Sequence, residues 1–120
     1  GYDGESSHLV GIVVTDLLND NLDEHGFLAS YSMWTEEVAL EFAMLENITL
    51  TSEHWEILHL LREYYETFDA SPANRALVNY VKRALGPTKG NSLYLMGLFP
   101  GSPARVGSRL AGLPKPKNCL

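Results

Sequence analysis

Apolar residues recur along this chain with two different spacings. Leu9 to Val14 (Leu-Val-Gly-Ile-Val-Val) is a short run rich in β-branched residues, which suits a strand. Asn19-Asp20-Asn21 offers a turn and Gly26-Phe27-Leu28 a returning segment, so a small N-terminal β-hairpin is expected. From Thr35 the spacing lengthens to three and four residues. Val38, Ala39, Phe42 and Leu45 then mark the buried face of a helix, with Glu36 and Glu37 in the first turn, where the helix dipole favours anions, and Asn47 at its end. Thr51 opens a second helix, since its hydroxyl can cap free amides while Glu53 suits the positive end. Its apolar stripe is Trp55, Leu58, Leu61, Tyr65 and Phe68.

Ser71-Pro72 has the cap-then-proline order of a third helix start, Gly86-Pro87 closes that helix, and Leu77, Val78, Val81 and Leu85 form its apolar face. A short fourth helix begins at Asn91 or Ser92 and runs through Leu98. A fifth begins at Ser102-Pro103 and reaches Ala111-Gly112. The predicted fold is mainly α, an orthogonal bundle of about five helices with one small hairpin. Residues 1–8 are polar and read as a loose tail, residues 9–112 as the domain, and residues 113–120 as a mobile C-terminal arm. In that arm, Leu-Pro-Lys-Pro-Lys-Asn-Cys-Leu, alternate prolines prevent a helix and favour extended geometry. At roughly 3.1 Å per residue, Leu113 to Cys119 would reach on the order of 20 Å.

Length and composition narrow the field without changing this layout. One core is what 120 residues can bury, and no apolar run approaches the roughly 18 residues of a membrane span. No basic-then-apolar leader is seen, and the lone cysteine, Cys119, rules out an internal disulfide or a multi-thiolate zinc site. A cytoplasmic location is therefore expected. Charge is segregated. All 15 acidic residues lie between Asp3 and Asp69 with Arg62 the sole base there, a net −14, whereas Ala70 to Leu120 carries +8 and no acid. That half could attract an anionic partner, or the two halves could neutralise each other across the fold.

The arm concentrates the chemistry. A thiolate is the nucleophilic form of cysteine, and neighbouring cations favour it. Lys115 and Lys117 flank Cys119 on the arm, and Arg105 and Arg109 share a face of the fifth helix with Ser108, so an arm folded back would meet a cationic platform. A thiol on such an arm suits transfer between proteins better than turnover of a small molecule.

Several segments taken together resemble one family. They are Leu-Thr-Ser-Glu-His-Trp-Glu (50–56), Leu-Arg-Glu-Tyr-Tyr (61–65), Ser-Pro-Ala-Asn-Arg-Ala-Leu-Val (71–78), Lys-Gly-Asn-Ser-Leu-Tyr-Leu (89–95), Leu-Phe-Pro (98–100) and Ala-Gly-Leu-Pro-Lys-Pro-Lys-Asn-Cys-Leu (111–120). In this order, from about Asp23 to the C-terminus, they resemble the DsrC/TusE family of sulfur carriers. The resemblance implies a small helical domain with a mobile arm that carries sulfur as a persulfide on Cys119. DsrC proper has a second cysteine eleven residues before the penultimate one, and Ser108 stands there. The resemblance therefore implies the single-cysteine TusE type, a sulfurtransferase in the relay that makes 2-thiouridine at the tRNA wobble base. Its implied partners are an upstream TusBCD-like donor complex and a downstream MnmA-like tRNA thiolase with its tRNA. No cofactor, metal or membrane is implied, and nucleic-acid binding by the carrier alone is not expected. Ser102 departs from the family, which usually has glycine before that proline, and the first 22 residues match poorly.

Two alternatives stay open: a DsrC-like accessory protein (gamma subunit) of a dissimilatory sulfite reductase or of sulfur oxidation, and a non-catalytic basic binding module using Arg75, Lys82, Arg83 and Lys89. His54 and His59, about 140° apart around a helix, cannot share a metal as an i,i+4 pair would, and packing or surface roles are expected of them.

Overall fold

A computed structural model describes residues 18 and 20–117 of the chain. The expected strand Leu9 to Val14 and the thiol of Cys119 lie outside the described residues. Among the described residues five α-helices follow one another, α1 (Glu36–Leu45), α2 (Ser52–Phe68), α3 (Asn74–Leu85), α4 (Ser92–Leu98) and α5 (Pro103–Leu110), preceded by a 3-10 turn at Tyr31–Met33 and, before that, by helical backbone at Leu18 and Asp20. The only β pairing among the described residues is an isolated antiparallel bridge between Leu22 and Leu28, so the returning segment 26–28 pairs with the residues just before it. Asp23 shapes that loop, its carboxylate accepting from the amides of His25 and Phe27 at 2.8 and 3.0 Å.

Four of the five helix starts are those the capping residues predict. The Thr35 hydroxyl accepts from the Val38 amide, Asn91 from the Tyr94 amide and Ser102 from the Arg105 amide, while Thr51 shares a reciprocal capping box with His54. Ser102 also shows how the chain enters α5 despite departing from the family pattern. Its φ of −138° is extended backbone open to any residue, and the position that turns left-handed is Gly101, at φ +95°. The exception is α3, which begins at Asn74 with Ala73 as its cap rather than at Ser71-Pro72. Pro72 is buried, and the Ser71 hydroxyl has a partner elsewhere in the fold.

α5 is the hub, packing against each of the other four helices. It can be surrounded because its residues are small. Ala104, Gly107 and Ser108 are fully buried or nearly so, and a Cβ at Gly107 would lie 2.9 Å from Leu61 Cδ1. Around it gather Phe42 of α1, Ile57, Leu58 and Leu61 of α2, Leu77 and Val81 of α3 and Leu95 of α4, closed at the end by Phe99 and Leu113.

Two predicted core positions are outside this core. Leu45 is 60% exposed and Phe68 is 56% exposed. Each is the last residue of its helix, beyond the span that α5 covers, and Ala43 and Ile57 take the buried places instead. His54 is buried as a packing residue. Its Nδ1 accepts from the Thr51 amide at 3.1 Å and its Nε2 donates to the Leu98 carbonyl at 2.9 Å, tying the start of α2 to the end of α4.

Candidate functional site

The junction between α5 and the arm is built so that the carbonyls at the helix end each find a donor. Gly112 is left-handed at φ +75°. Its amide donates to the Arg109 carbonyl at 3.2 Å, and the Leu113 amide donates to the Ser108 carbonyl at 2.9 Å. This is a Schellman ending, in which the residue after the glycine turns back against the helix, and Leu113 is accordingly fully buried. Two carbonyls are left over, and side chains from far away in sequence take them. Trp34 Nε1 donates to Leu110 O at 2.9 Å, and an Arg62 amino group donates to Ala111 O at 2.7 Å.

Arg62 is itself held by aromatic rings. Its guanidinium lies 3.9 Å from the Tyr31 ring centroid and 4.1 Å from that of Trp34, and Tyr31 stacks on Tyr65 at 4.8 Å. Burial draws the Arg62 pKa down from its ordinary value, and the guanidinium still keeps its charge at neutral pH. The Tyr31 hydroxyl donates to Glu66 at 2.5 Å. Burial, and then that hydrogen bond, push the Tyr31 phenol up to about 12.

Beyond Leu113 the arm stays on the body as far as the structure describes it. The Ser71 hydroxyl donates to the Pro114 carbonyl at 2.6 Å, Pro116 is buried, Lys115 is half-buried and Lys117 is exposed. The arm is thus fastened at Pro114 to the residues just before α3 and is buried again at Pro116.

Of the residues predicted to support the thiol, Lys115 and Lys117 are presented on the arm, while the two arginines differ from each other. Arg105 is partly exposed, its guanidinium 5.8 Å from the centre of the Phe27 ring. Arg109 is committed to the fold. It forms a 2.7 Å ion pair with Glu46, each side chain only 20% exposed, and its Nε donates to the Gly26 carbonyl at 2.9 Å. Its guanidinium also lies 5.1 Å from the Phe42 ring. Its charge is largely balanced where it stands. Ser108, on the same helix, is fully buried, and its hydroxyl has no hydrogen-bond partner among the described residues.

The basic residues of α3 and the loop after it also divide. Lys89 pairs with Glu56 at 2.8 Å, while Arg75, Lys82 and Arg83 are exposed. Among the described residues no three His, Cys, Asp or Glu side chains are placed to hold a metal ion, and no helix is long and apolar enough to cross a membrane. Trp34, Tyr31, Arg62 and Ser71 are the residues that motif reading did not single out as a site. Arg62 had one visible sign: it is the sole base of the acidic segment.

Residues 17–120 match the family described as DsrC like protein. The chain is 46% identical over 98 residues to the sulfurtransferase TusE homolog of Haemophilus influenzae, covering 82% of this chain and 90% of that one. Against the sulfurtransferase TusE of Photorhabdus laumondii it is 47% identical over 98 residues, covering 82% and 88%. Among solved structures, the NMR structure of Allochromatium vinosum DsrC superposes with a TM-score of 0.74 at 47% identity, covering 82% of this chain and 88% of that one. The oxidized gamma-subunit of the dissimilatory sulfite reductase (DsrC) from Archaeoglobus fulgidus gives 0.67 at 40% identity, covering 82% and 90%. A helical bundle centred on α5, an arm that leaves it through a glycine-based cap, and a match across nearly the whole chain lead to one assignment: this protein belongs to the DsrC-like family.

Proposed function

We propose that this chain is a sulfurtransferase of the TusE type, a carrier that takes sulfane sulfur onto Cys119 and passes it to a second protein in tRNA wobble-uridine 2-thiolation. In the loading step the Cys119 thiolate attacks the outer sulfur of a donor persulfide. A Cys119 S–S bond forms as the donor's own S–S bond breaks, and the donor leaves as a thiolate, so no oxidant or reductant is consumed. Unloading is the same exchange with an acceptor thiolate. The donor is a TusBCD-like complex and the acceptor an MnmA-like thiolase holding its tRNA, all in the cytoplasm. Lys115 and Lys117 favour the anionic sulfur and steer the encounter, Arg105 adds to that field, and Arg109 contributes mainly through the fold.

The observation that carries this reading is the pairing of one penultimate thiol with a buried serine at position 108. A hydroxyl cannot close a disulfide, so the chain has one sulfur site and relay chemistry is what one site can do. Relatives named sulfurtransferase TusE at 46% and 47% identity support it. The likeness to the gamma-subunit of the Archaeoglobus fulgidus dissimilatory sulfite reductase favours a sulfite-reductase accessory role, and Ser108 counts against that role.

The test is intact-mass spectrometry after incubation with a TusBCD-like donor complex charged by a cysteine desulfurase and cysteine. Cys119 should gain about 32 Da, one sulfur atom, in a form that a reductant removes. The Cys119→Ser protein should fold and gain nothing. Equal sulfur transfer through Cys119→Ser would overturn the reading.

A further inference from the structure

A carrier arm must be loose enough to meet a partner and confined enough to keep its sulfur near the partner's thiol. The described part of this arm shows where it is confined. Its root is locked at the end of α5, where Trp34 and Arg62 take the Leu110 and Ala111 carbonyls and Leu113 is sealed in the core. A second fastening lies further out, at the Ser71 hydroxyl on the Pro114 carbonyl, 2.6 Å, with Pro116 buried beyond it. The Ser71 contact is not a by-product of helix capping, because α3 begins three residues later with Ala73 as its cap and does not use that hydroxyl. Ser71-Pro72 instead gives the arm a fixed surface, an exposed donor beside a buried ring.

We infer that Ser71 is a positioning residue for sulfur transfer, latching the Pro114 carbonyl so that the arm pivots beyond Pro116 and not directly after Leu113. The inference rests on the carrier reading above. The latch changes the length of chain between the last fixed point and the sulfur: Cys119 lies three residues beyond Pro116, a span of at most about 10 Å, against six residues beyond Leu113, which the core holds whether or not the latch is closed. The chemical step is the unloading exchange: an S–S bond to the acceptor forms as the Cys119 S–S bond breaks, and Cys119 departs as thiolate. Its rate within a complex follows the local concentration of the sulfur. For a flexible tether that concentration falls as about the −3/2 power of length, so lengthening the tether from three residues to six dilutes the sulfur roughly threefold.

Ser71→Ala removes the latch while leaving Pro72 and the α5 cap in place, and Ser71→Thr keeps the hydroxyl. Transfer from persulfidated protein to a purified MnmA-like thiolase with its tRNA is followed against thiolase concentration, and backbone order parameters are read at the Lys115 and Lys117 amides. In Ser71→Ala the maximal transfer rate should fall by about two- to threefold with less than a twofold change in KM. The Lys115 order parameter should drop from about 0.85 toward 0.6 or below. Ser71→Thr should restore both. A wild-type protein that passes no sulfur overturns the carrier reading, and the positioning role with it. A wild type that transfers while Ser71→Ala matches it in maximal rate, or keeps Lys115 equally ordered, overturns the positioning role alone.

Discussion

Gly112→Ala probes the closest packing at the arm's root. Two independent penalties meet at this residue. Its φ of +75° lies in the left-handed region, where an L side chain costs roughly 1–2 kcal/mol. The added methyl would also lie 2.4 Å from Trp34 Cδ1 and 2.8 Å from Trp34 Cβ, distances that no real Cβ tolerates. The indole must therefore shift, and with it goes the Trp34 Nε1 bond to the Leu110 carbonyl. A buried carbonyl left unpaired costs about 1–3 kcal/mol. Together the two amount to about 2–5 kcal/mol, a large share of the roughly 5–15 kcal/mol that holds a domain folded. Urea denaturation of wild type and variant measures the difference directly. Gly97→Ala is the matched control, because a Cβ there meets nothing within 4 Å and Gly97 lies in α4, where alanine should gain about 0.5–1 kcal/mol. A Gly112→Ala protein within about 1 kcal/mol of wild type would refute the claim that Trp34 is held rigidly against the arm's root.

Two further expectations concern charge. Tyr31 is pushed up to about 12 from an ordinary 10.0, so the fold favours its neutral form; that stabilisation is fully present below about pH 10 and is lost as the pH rises toward 12. Denaturation midpoints against pH should fall over that window in wild type and fall less in Tyr31→Phe, and identical profiles would refute the raised Tyr31 phenol as a contributor. Changing Lys115 and Lys117 together to Gln should slow sulfur transfer mainly through association, with the deficit shrinking between roughly 0.1 M and 1 M salt as the Debye length contracts from about 10 Å to about 3 Å. Folding stability should hardly change, and unchanged transfer at low salt would remove the arm's charge from the mechanism.

Much of this protein is written locally and was legible without coordinates. Helix starts at Thr35, Thr51, Asn91 and Ser102, and the stops at Gly86 and Gly112, depend on hydrogen bonds that close within about four residues, so the identity of a few neighbours decides them. The lone thiol and the serine at 108 are likewise properties of the chain alone. The contacts that locate the arm are not local. Trp34 reaches Leu110, Arg62 reaches Ala111, Ser71 reaches Pro114 and Arg109 reaches Glu46, each across 43 or more positions. Ser71-Pro72 shows why a sequence alone misleads there. A hydroxyl before a proline satisfies the local rule for a helix start, yet the Pro114 carbonyl stands within its reach only because α5 passes through the middle of the bundle and brings the arm to the residues just before α3. Arg109 follows the same logic. On a helical wheel it is a free cation beside Arg105, and only the packing of α1 against α5 brings Glu46 and Phe42 to it and makes it part of the scaffold. Local hydrogen bonding decides which elements form, and tertiary packing decides which polar groups are left to act.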